Sequence, residues 1–436
     1  MANGNFGGGK GTESNPYLID DGVDLCNVNS FPSAYFKLTR NINLGVYPFN
    51  TEKGWNPIRN FSGVLDGNGK KISNLYINRL TDDNVGLFAN LTNDNNGVLK
   101  VKNLFVENAD IHAHSNVGII AGNIENAQTS GSVNTVFIEN CKVSGKVAGY
   151  SYIGGVAGRV SQDTNSSANV HANTGYIVTV MKNVYVDTKI YADNNNANFG
   201  GVVGGWNNIY SLSNEPPKME NVLSVSTFNK KIQSQEDLSF QPAAFGYDKN
   251  NKKMTKCYYD SEKWESNSVT EGSVGLTADK LYKDNEAGFH NIVDDNANAV
   301  WGIRKDNYPD LTTFNNKHIL IKSNESYYKH KNGAWEKVFD RLPTIDEAEE
   351  NGMTSNDVRD LGLAEWNSFL TEHSGEDVSV ISFENYSEGT NISERLNKAG
   401  SIDQTESNSR GKNLFKTSFN FDDLGSNIIY ICKGEI

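Results

Sequence analysis

Asp110, His112 and His114 alternate along one short stretch, so in an extended strand all three side chains share a face. Imidazole and carboxylate groups at that spacing could ligate a metal. A metal site needs three or four ligands, and the sequence offers no second contributor. His171, His290, His318, His330 and His373 show no ligand spacing. The strip is therefore expected to face solvent as a polar surface, with no metal and no cofactor. Hydrolysis of a glycan would need only two carboxylates across a groove. With 53 Asp and Glu in the chain, Asp187 with Asp193, or Asp82 with Asp83, would be arbitrary choices. No nucleophile elbow, phosphate loop or paired-cysteine motif is present, and no catalytic residue is assigned. The aromatic residues Tyr150, Tyr152, Trp206 and Tyr210 lie at turns beside glycine-containing strands. Their rings can stack on sugars as a binding surface, or fill corners as packing.

The elements that would position these residues come from a repeat. An Asn heads a short apolar strand, and a glycine-containing hydrophobic step follows. The copies are Asn74-Leu75-Tyr76-Ile77 with Val85-Gly86-Leu87-Phe88, and Asn103-Leu104-Phe105-Val106 with Val117-Gly118-Ile119-Ile120. Asn140-Cys141-Lys142-Val143 with Ile153-Gly154-Gly155-Val156 and Asn183-Val184-Tyr185-Val186 with Phe199-Gly200-Gly201-Val202 follow, then a looser copy at Asn221-Val222-Leu223. The Asn-to-Asn steps are 29, 37, 43 and 38 residues (103−74, 140−103, 183−140, 221−183). Recurrence on this scale without a helical period predicts stacked units, none of which can bury its apolar face alone. The expected fold is an all-β solenoid, a parallel β-helix. Leu75, Leu104, Cys141, Val184 and Val222 are expected in one buried column. The asparagines, recurring in register, permit a ladder of side-chain amides.

Composition agrees. Forty glycines and a 37% hydrophobic share suit many turns around a thin core. A net charge of −13 argues against duplex DNA or an anionic membrane as partner, since both are bound through clustered Lys and Arg. No stretch approaches the roughly 20 apolar residues that span a bilayer. Cys141 and Cys257 fall in matching positions three rungs apart, about 14 Å at the strand spacing, too far for a disulfide. The N-terminal residues lack the charged start and apolar core of a secretory signal, and no wall-anchor pattern is seen before Ile436. Folding in a reducing cytoplasm is the expectation.

Residues 1–60 are expected to form a cap and first coil, and 61–311 the repeat body. Residues 316–342 read as a β-meander with a turn at Asn332-Gly333. Residues 343–375 read as short helices, opened by a capping box at Thr344–Glu347, and 376–436 as a terminal β domain. Together the tail makes a small mixed α/β domain, with proteolysis expected around Thr312–Asn316.

Phe61-Ser62-Gly63-Val64-Leu65-Asp66-Gly67-Asn68-Gly69, Val85-Gly86-Leu87-Phe88 and Ile153-Gly154-Gly155-Val156-Ala157-Gly158 resemble the GLUG repeat family, as do Gly11–Leu18, Cys257–Asp260 and Trp301-Gly302-Ile303. The resemblance covers roughly residues 5–311. It implies a right-handed parallel β-helix of the kind found in bacterial surface adhesins and in phage, with inserts such as Ser161–Gly175 as loops on one face. Residues of about 316–375 are similar to C-terminal segments of virion structural proteins from phages of Gram-positive hosts. Together the two resemblances imply a virion protein of the tail, baseplate fibre or capsid exterior. Such a protein is assembled in the host cytoplasm and presents a β-helix to the host surface. Its partners would be other virion proteins, a host cell-surface glycan or protein, and copies of itself, for example as a trimer, with no nucleic acid or membrane. The alternatives are a tailspike depolymerase or lyase and a bacterial cell-surface adhesin. Enzymes on β-helices need acids or bases clustered on neighbouring rungs. The outward positions Tyr76, Phe105, Lys142 and Tyr185 are mixed, so recognition without catalysis is expected. It would use the loops Ser161–Gly175 and Asn194–Asn198 and the aromatics near Trp206 and Tyr210.

Overall fold

Asparagine sets the corners of this chain. In the computed structural model Asn74, Asn103, Asn140, Asn183 and Asn221 all hold left-handed backbone, with φ of 58°, 52°, 50°, 55° and 55°. That region is costly for most side chains and tolerated by Asn and Asp, whose short amide or carboxylate bonds locally. The structure describes residues 6–92, 99–126, 133–162, 176–194, 197–207, 218–229, 247–248, 253–263, 273–294, 300–304, 307–314, 318–331, 334–341, 343, 347–348, 351–354, 363–376, 378–383, 402–407, 413–417 and 431–432. Tyr210, the Asn332-Gly333 turn, most of the Ser161–Gly175 loop and of the capping box, and part of Asn194–Asn198 lie outside them.

The chain divides into two compact units, Met1–Phe289 and His290–Ile436. In the first, a long sheet runs in the order Tyr17–Ile19, Tyr35–Leu38, Val64–Asp66, Leu99–Lys102, Val133–Gly149, Tyr176–Ala192, Lys218–Ser224, Lys253–Asp260, Ser273–Leu276. Every pair along that path is parallel. Phe105–Val117 extends it, pairing in parallel with Lys71–Ser73, Tyr76–Val85 and Val133–Gly149. A second parallel sheet orders Phe88–Thr92, Ala121–Asn126, Ala157–Gln162, Val203–Asn207 and Tyr247–Asp248. Large parallel sheets with few helices make an all-β fold, consistent with a β-helix-like arrangement.

Alternation fills the core. Cys141, Val184, Val222 and Cys257 stand in register on successive strands and are buried. Leu104 joins the column, its carbonyl accepting the Lys142 N–H at 2.9 Å. Burial pushes the Cys141 thiol up to about 12, so it is an inert apolar side chain. Beside this column runs an amide ladder. Asn221 Nδ2 donates to Asn183 Oδ1 (2.9 Å), Asn183 to Asn140 (2.9 Å) and Asn140 to Asn103 (3.2 Å).

The first copy departs from expectation. Asn103 donates not to Asn74 but to Asp66 Oδ1, at 3.0 Å and 37 residues away. Asn74 belongs to a separate ladder, donating to Asn43 (2.9 Å) and accepting from Asn108 (2.7 Å). Leu75 is buried, but its carbonyl accepts from Asp110 N–H at 2.9 Å, so it stands beside the Ala109–Asp110 segment rather than in the Leu104 column. The short 29-residue step (103−74) was the sign of this offset. Counted from Asp66, the steps are 37, 37, 43 and 38.

On the exposed face opposite charges alternate in register along Asp66, Lys102, Glu139, Lys182 and Glu220. Lys102 meets Asp66 at 3.1 Å and Lys182 meets Glu220 at 3.7 Å. Each such pair adds little stability, but a strand slipped along its neighbour would set these charges against uncharged residues such as Ile138 or Cys141, so the row favours one register.

The second unit is built differently. Ala334–Phe339, Ser326–Lys331 and His318–Ser323 form an antiparallel sheet, with Met353–Thr354 and Val378–Phe383 also pairing His318–Ser323. The helix Leu363–Glu372 packs on it through buried Phe369, whose ring lies 4.4 Å from Trp335 and 5.3 Å from Tyr328. Trp301–Arg304 and Asn307–Leu311 form a separate antiparallel pair, and Ile402–Ser407, Asn413–Thr417 and Ile431–Cys432 a three-stranded antiparallel sheet.

Candidate functional site

The strand Phe105–Val117 buries Ala109, Ile111 and Ala113 and turns Asp110, His112 and His114 outward. Each outward group meets a partner from another segment. His112 Nε2 lies 2.7 Å from Asp193 Oδ2, and His114 Nδ1 lies 2.7 Å from Asp83 Oδ1. Asp110 meets Lys146 at 3.7 Å, and the Lys146 ammonium sits 5.2 Å from the centre of the Tyr191 ring. Among the described residues no three metal-ligating side chains converge, because the two histidines turn to different carboxylates.

The reach from His112 to Asp193 crosses an intervening strand. There the residue in register with His112 on one side and Tyr191 on the other is Ala148. Ala148 alternates outward, yet between His112 and Tyr191 it is only 3% exposed. Asp193 is itself fixed by its N–H, which donates to the Gly149 carbonyl at 2.7 Å. Tyr150 follows at the end of the strand. Its N–H donates to the His114 carbonyl at 2.7 Å and its ring stacks on the His114 imidazole, centroids 5.3 Å apart and planes 15° from parallel. The Tyr150 side of the patch is open, with this residue 49% exposed.

The sequence singled out four aromatic residues, and the structure separates them. Tyr150 joins the patch. Tyr152, half-buried with φ 53°, lays its ring against the Gly205 backbone, where a Cβ would come within 2.5 Å of it, and under the Arg159 guanidinium at 5.1 Å. Trp206 corrects the expectation outright: it is fully buried in the core and presents no face to a ligand. Tyr210 lies outside the described residues. Phe105 and Tyr185 also prove less exposed than their outward positions imply, at 8% and 7%. Lys142 stands between them in register and lies over both rings, at 4.8 and 5.0 Å, so the row covers itself.

Asp83, Lys146, Tyr191 and Asp193 escaped the sequence reading as members of one patch. The missing information was a bulge. Val106 pairs with Val143, 37 residues on (143−106), whereas Ala109 pairs with Gly145, 36 on (145−109). Left-handed Asn108 absorbs the extra residue, with φ 53°. A constant step of 37 would set Asp110 against inward Val147 instead of Lys146. An Asn between Glu107 and Ala109, falling between two copies of the repeat, was the available hint.

Two groupings resemble proton relays in composition and differ from them in geometry. Ser115 Oγ (3.3 Å) and Asp83 Oδ1 (2.7 Å) approach the same nitrogen of His114, Nδ1. In a relay the acid and the nucleophile occupy opposite ring nitrogens. In the second unit Glu376 Oε2 takes the Ser323 hydroxyl (2.5 Å) and also lies 3.0 Å from His373 Nδ1, which places the carboxylate, not the imidazole, in the middle.

No protein-family model matches the chain. Among curated proteins it is similar to halomucin of Haloquadratum walsbyi, 36% identical over 172 residues, which is 37% of this chain and 2% of that protein. It is also similar to a protein of Evansella cellulosilytica, provisionally named a Gly-rich membrane protein, 34% identical over 125 residues, 27% of this chain and 14% of the relative. The chain thus spans a small part of either relative. Among solved structures it resembles a Bacteroides ovatus protein provisionally assigned as an immunoglobulin A1 protease. That likeness has a TM-score of 0.44 and 19% identity, covering 71% of this chain and 95% of that one. No helix among the described residues is long and apolar enough to cross a membrane.

Proposed function

We propose that the chain is a right-handed parallel β-helix of the GLUG type, carried on the exterior of a phage virion, which binds the host surface without cleaving it. The patch on its exposed sheet face carries this reading. Side chains from separate strand segments bring an open tyrosine ring, carboxylates and a lysine together, held by cross-strand hydrogen bonds. Such a surface suits many weak stacking and hydrogen-bond contacts, and copies on one particle would multiply them into avidity. The Ser115, His114 and Asp83 arrangement lacks the order of an acyl-transfer relay, which favours binding over that chemistry. The virion location rests on the resemblance of residues of about 316–375 to virion structural proteins.

A second reading, a bacterial surface adhesin, draws on the relative whose name places it in a membrane. Immunogold labelling under negative stain separates the two. Particles released by lysis of a producing host should carry gold on the tail, baseplate or capsid exterior. Label confined to the cell envelope would replace the virion reading with the adhesin.

A further inference from the structure

We propose, resting on that recognition reading, that the patch at Tyr150 is a subsite for a neutral sugar residue. The Tyr150 ring would be the stacking platform, with Asp83 and Asp193 as hydroxyl acceptors.

The platform is formed before any ligand arrives. One face of the Tyr150 ring lies on the His114 imidazole, and the residue keeps 49% of its surface open. A pyranose presents a face of C–H groups, and such a face matches an aromatic ring in shape and polarity. The imidazole behind the ring restrains its rotation, so little side-chain entropy remains to be lost on binding.

The acceptors are equally fixed. Asp83 gives Oδ1 to His114 and Asp193 gives Oδ2 to His112. A carboxylate has about four lone-pair sites, so each retains acceptor capacity for a sugar hydroxyl.

Charge selects the ligand class. Asp83, Asp110 and Asp193 bring three carboxylates, against Lys146 and Lys189, which face each other in register. Lys146 is already engaged by Asp110 and the Tyr191 ring. A phosphate- or carboxylate-bearing glycan would meet repulsion here, on a chain whose net charge is already −13. A neutral polyol needs no counter-charge and uses donors and acceptors of both kinds.

The test uses the full chain and two probes: neutral and anionic pools of wall polysaccharide from the producing host, separated by anion exchange. Affinity electrophoresis or calorimetry should show the wild type binding the neutral pool more tightly. Tyr150→Ala should weaken that binding by at least about tenfold, the scale of losing an aromatic anchor. Tyr150→Phe should bind nearly as wild type, because the ring and not the hydroxyl is the platform. All variants should melt within about a degree of wild type, since Tyr150 lies at the surface. Equal binding by wild type and Tyr150→Ala would overturn the subsite while leaving host recognition intact. A preference for the anionic pool would overturn the charge argument and with it the neutral-sugar assignment. A wild type that binds neither pool would overturn the recognition reading and the subsite together.

Discussion

In the first unit the central strands Val133–Gly149, Tyr176–Ala192 and Lys218–Ser224 each lie beside the next copy of the repeat. In the second, His318–Ser323 lies between strands that share no pattern with it. The consequence is visible in how polar groups are satisfied. The first unit uses one solution many times, with Asn103, Asn140, Asn183 and Asn221 passing the same amide bond along the stack. The second uses individual solutions, such as Trp335 Nε1 donating to the Glu365 carbonyl at 2.8 Å, or Glu376 holding Ser323 and His373 together. Repetition makes a rigid scaffold whose exposed face can vary, because the ladder and column beneath it carry the stability. Damage to a repeated contact should therefore propagate, and damage to an individual one should stay local.

The largest effect should come from Leu104→Asp. Leu104 is fully buried, and a lone carboxylate there must be neutralised or left unpaired at a cost of several kcal/mol. Soluble yield should collapse. A soluble variant melting like wild type would mean that the column does not support the fold.

Next is the ladder. Asn183→Ala breaks the bonds to Asn140 and from Asn221 and also forces alanine into φ 55°. Buried Asn221 and half-buried Asn140 lose partners, so the cost should be about 1–3 kcal/mol for the lost bonds, with the backbone penalty in addition. Asn183→Gly removes the same bonds and tolerates the backbone. Thermal or denaturant melts of the pair then measure the two terms separately. If both variants matched wild type, the ladder would be incidental to stability.

The individual contact at Glu376 predicts a pH effect confined to the second unit. Hydrogen bonds from Ser323 and then His373 hold its carboxyl below the usual glutamate range. A depressed carboxyl contributes stability that is fully present above the unfolded value, about 4.3, and is lost as pH falls through the folded value. Hydrogen exchange in the strand His318–Ser323 should therefore quicken as pH drops below about 4 beyond the intrinsic trend. That excess should vanish in Glu376→Gln. An identical excess in the variant would assign the effect to another group.

The smallest effect should be Lys146→Ala. Its ion pair with Asp110 is exposed on both sides, and such pairs contribute at most about 1 kcal/mol, less at high salt. A double-mutant cycle with Asp110→Ala measures it, and a coupling well above that scale would make the patch structural.

The same contrast decides what the sequence could disclose. Alternation at Leu104 and Val106 or Val184 and Val186, with an Asn before each strand, made the parallel stacking and the buried column legible. The first copy was misplaced because Asn74 looks like Asn103 locally, and only the short 29-residue step (103−74) betrays that it serves a second corner. The patch was less legible still. Asp110, His112 and His114 could be put on one face, but their partners depend on the bulge at Asn108, which shifts the pairing by one residue. Trp206 was ambiguous for a different reason. Its neighbours Gly204 and Gly205 suit a surface turn and a close-packed corner equally well, and here the packing role holds.

The proposed host-surface binding without cleavage is open to one direct measurement. It incubates the purified 436-residue chain with polysaccharide from the host wall. It follows bound protein together with reducing ends and unsaturated sugar products over time. Binding that saturates while both product signals stay at the level of a protein-free control is the predicted result. Sustained release of either product would make the protein a depolymerase and contradict the account.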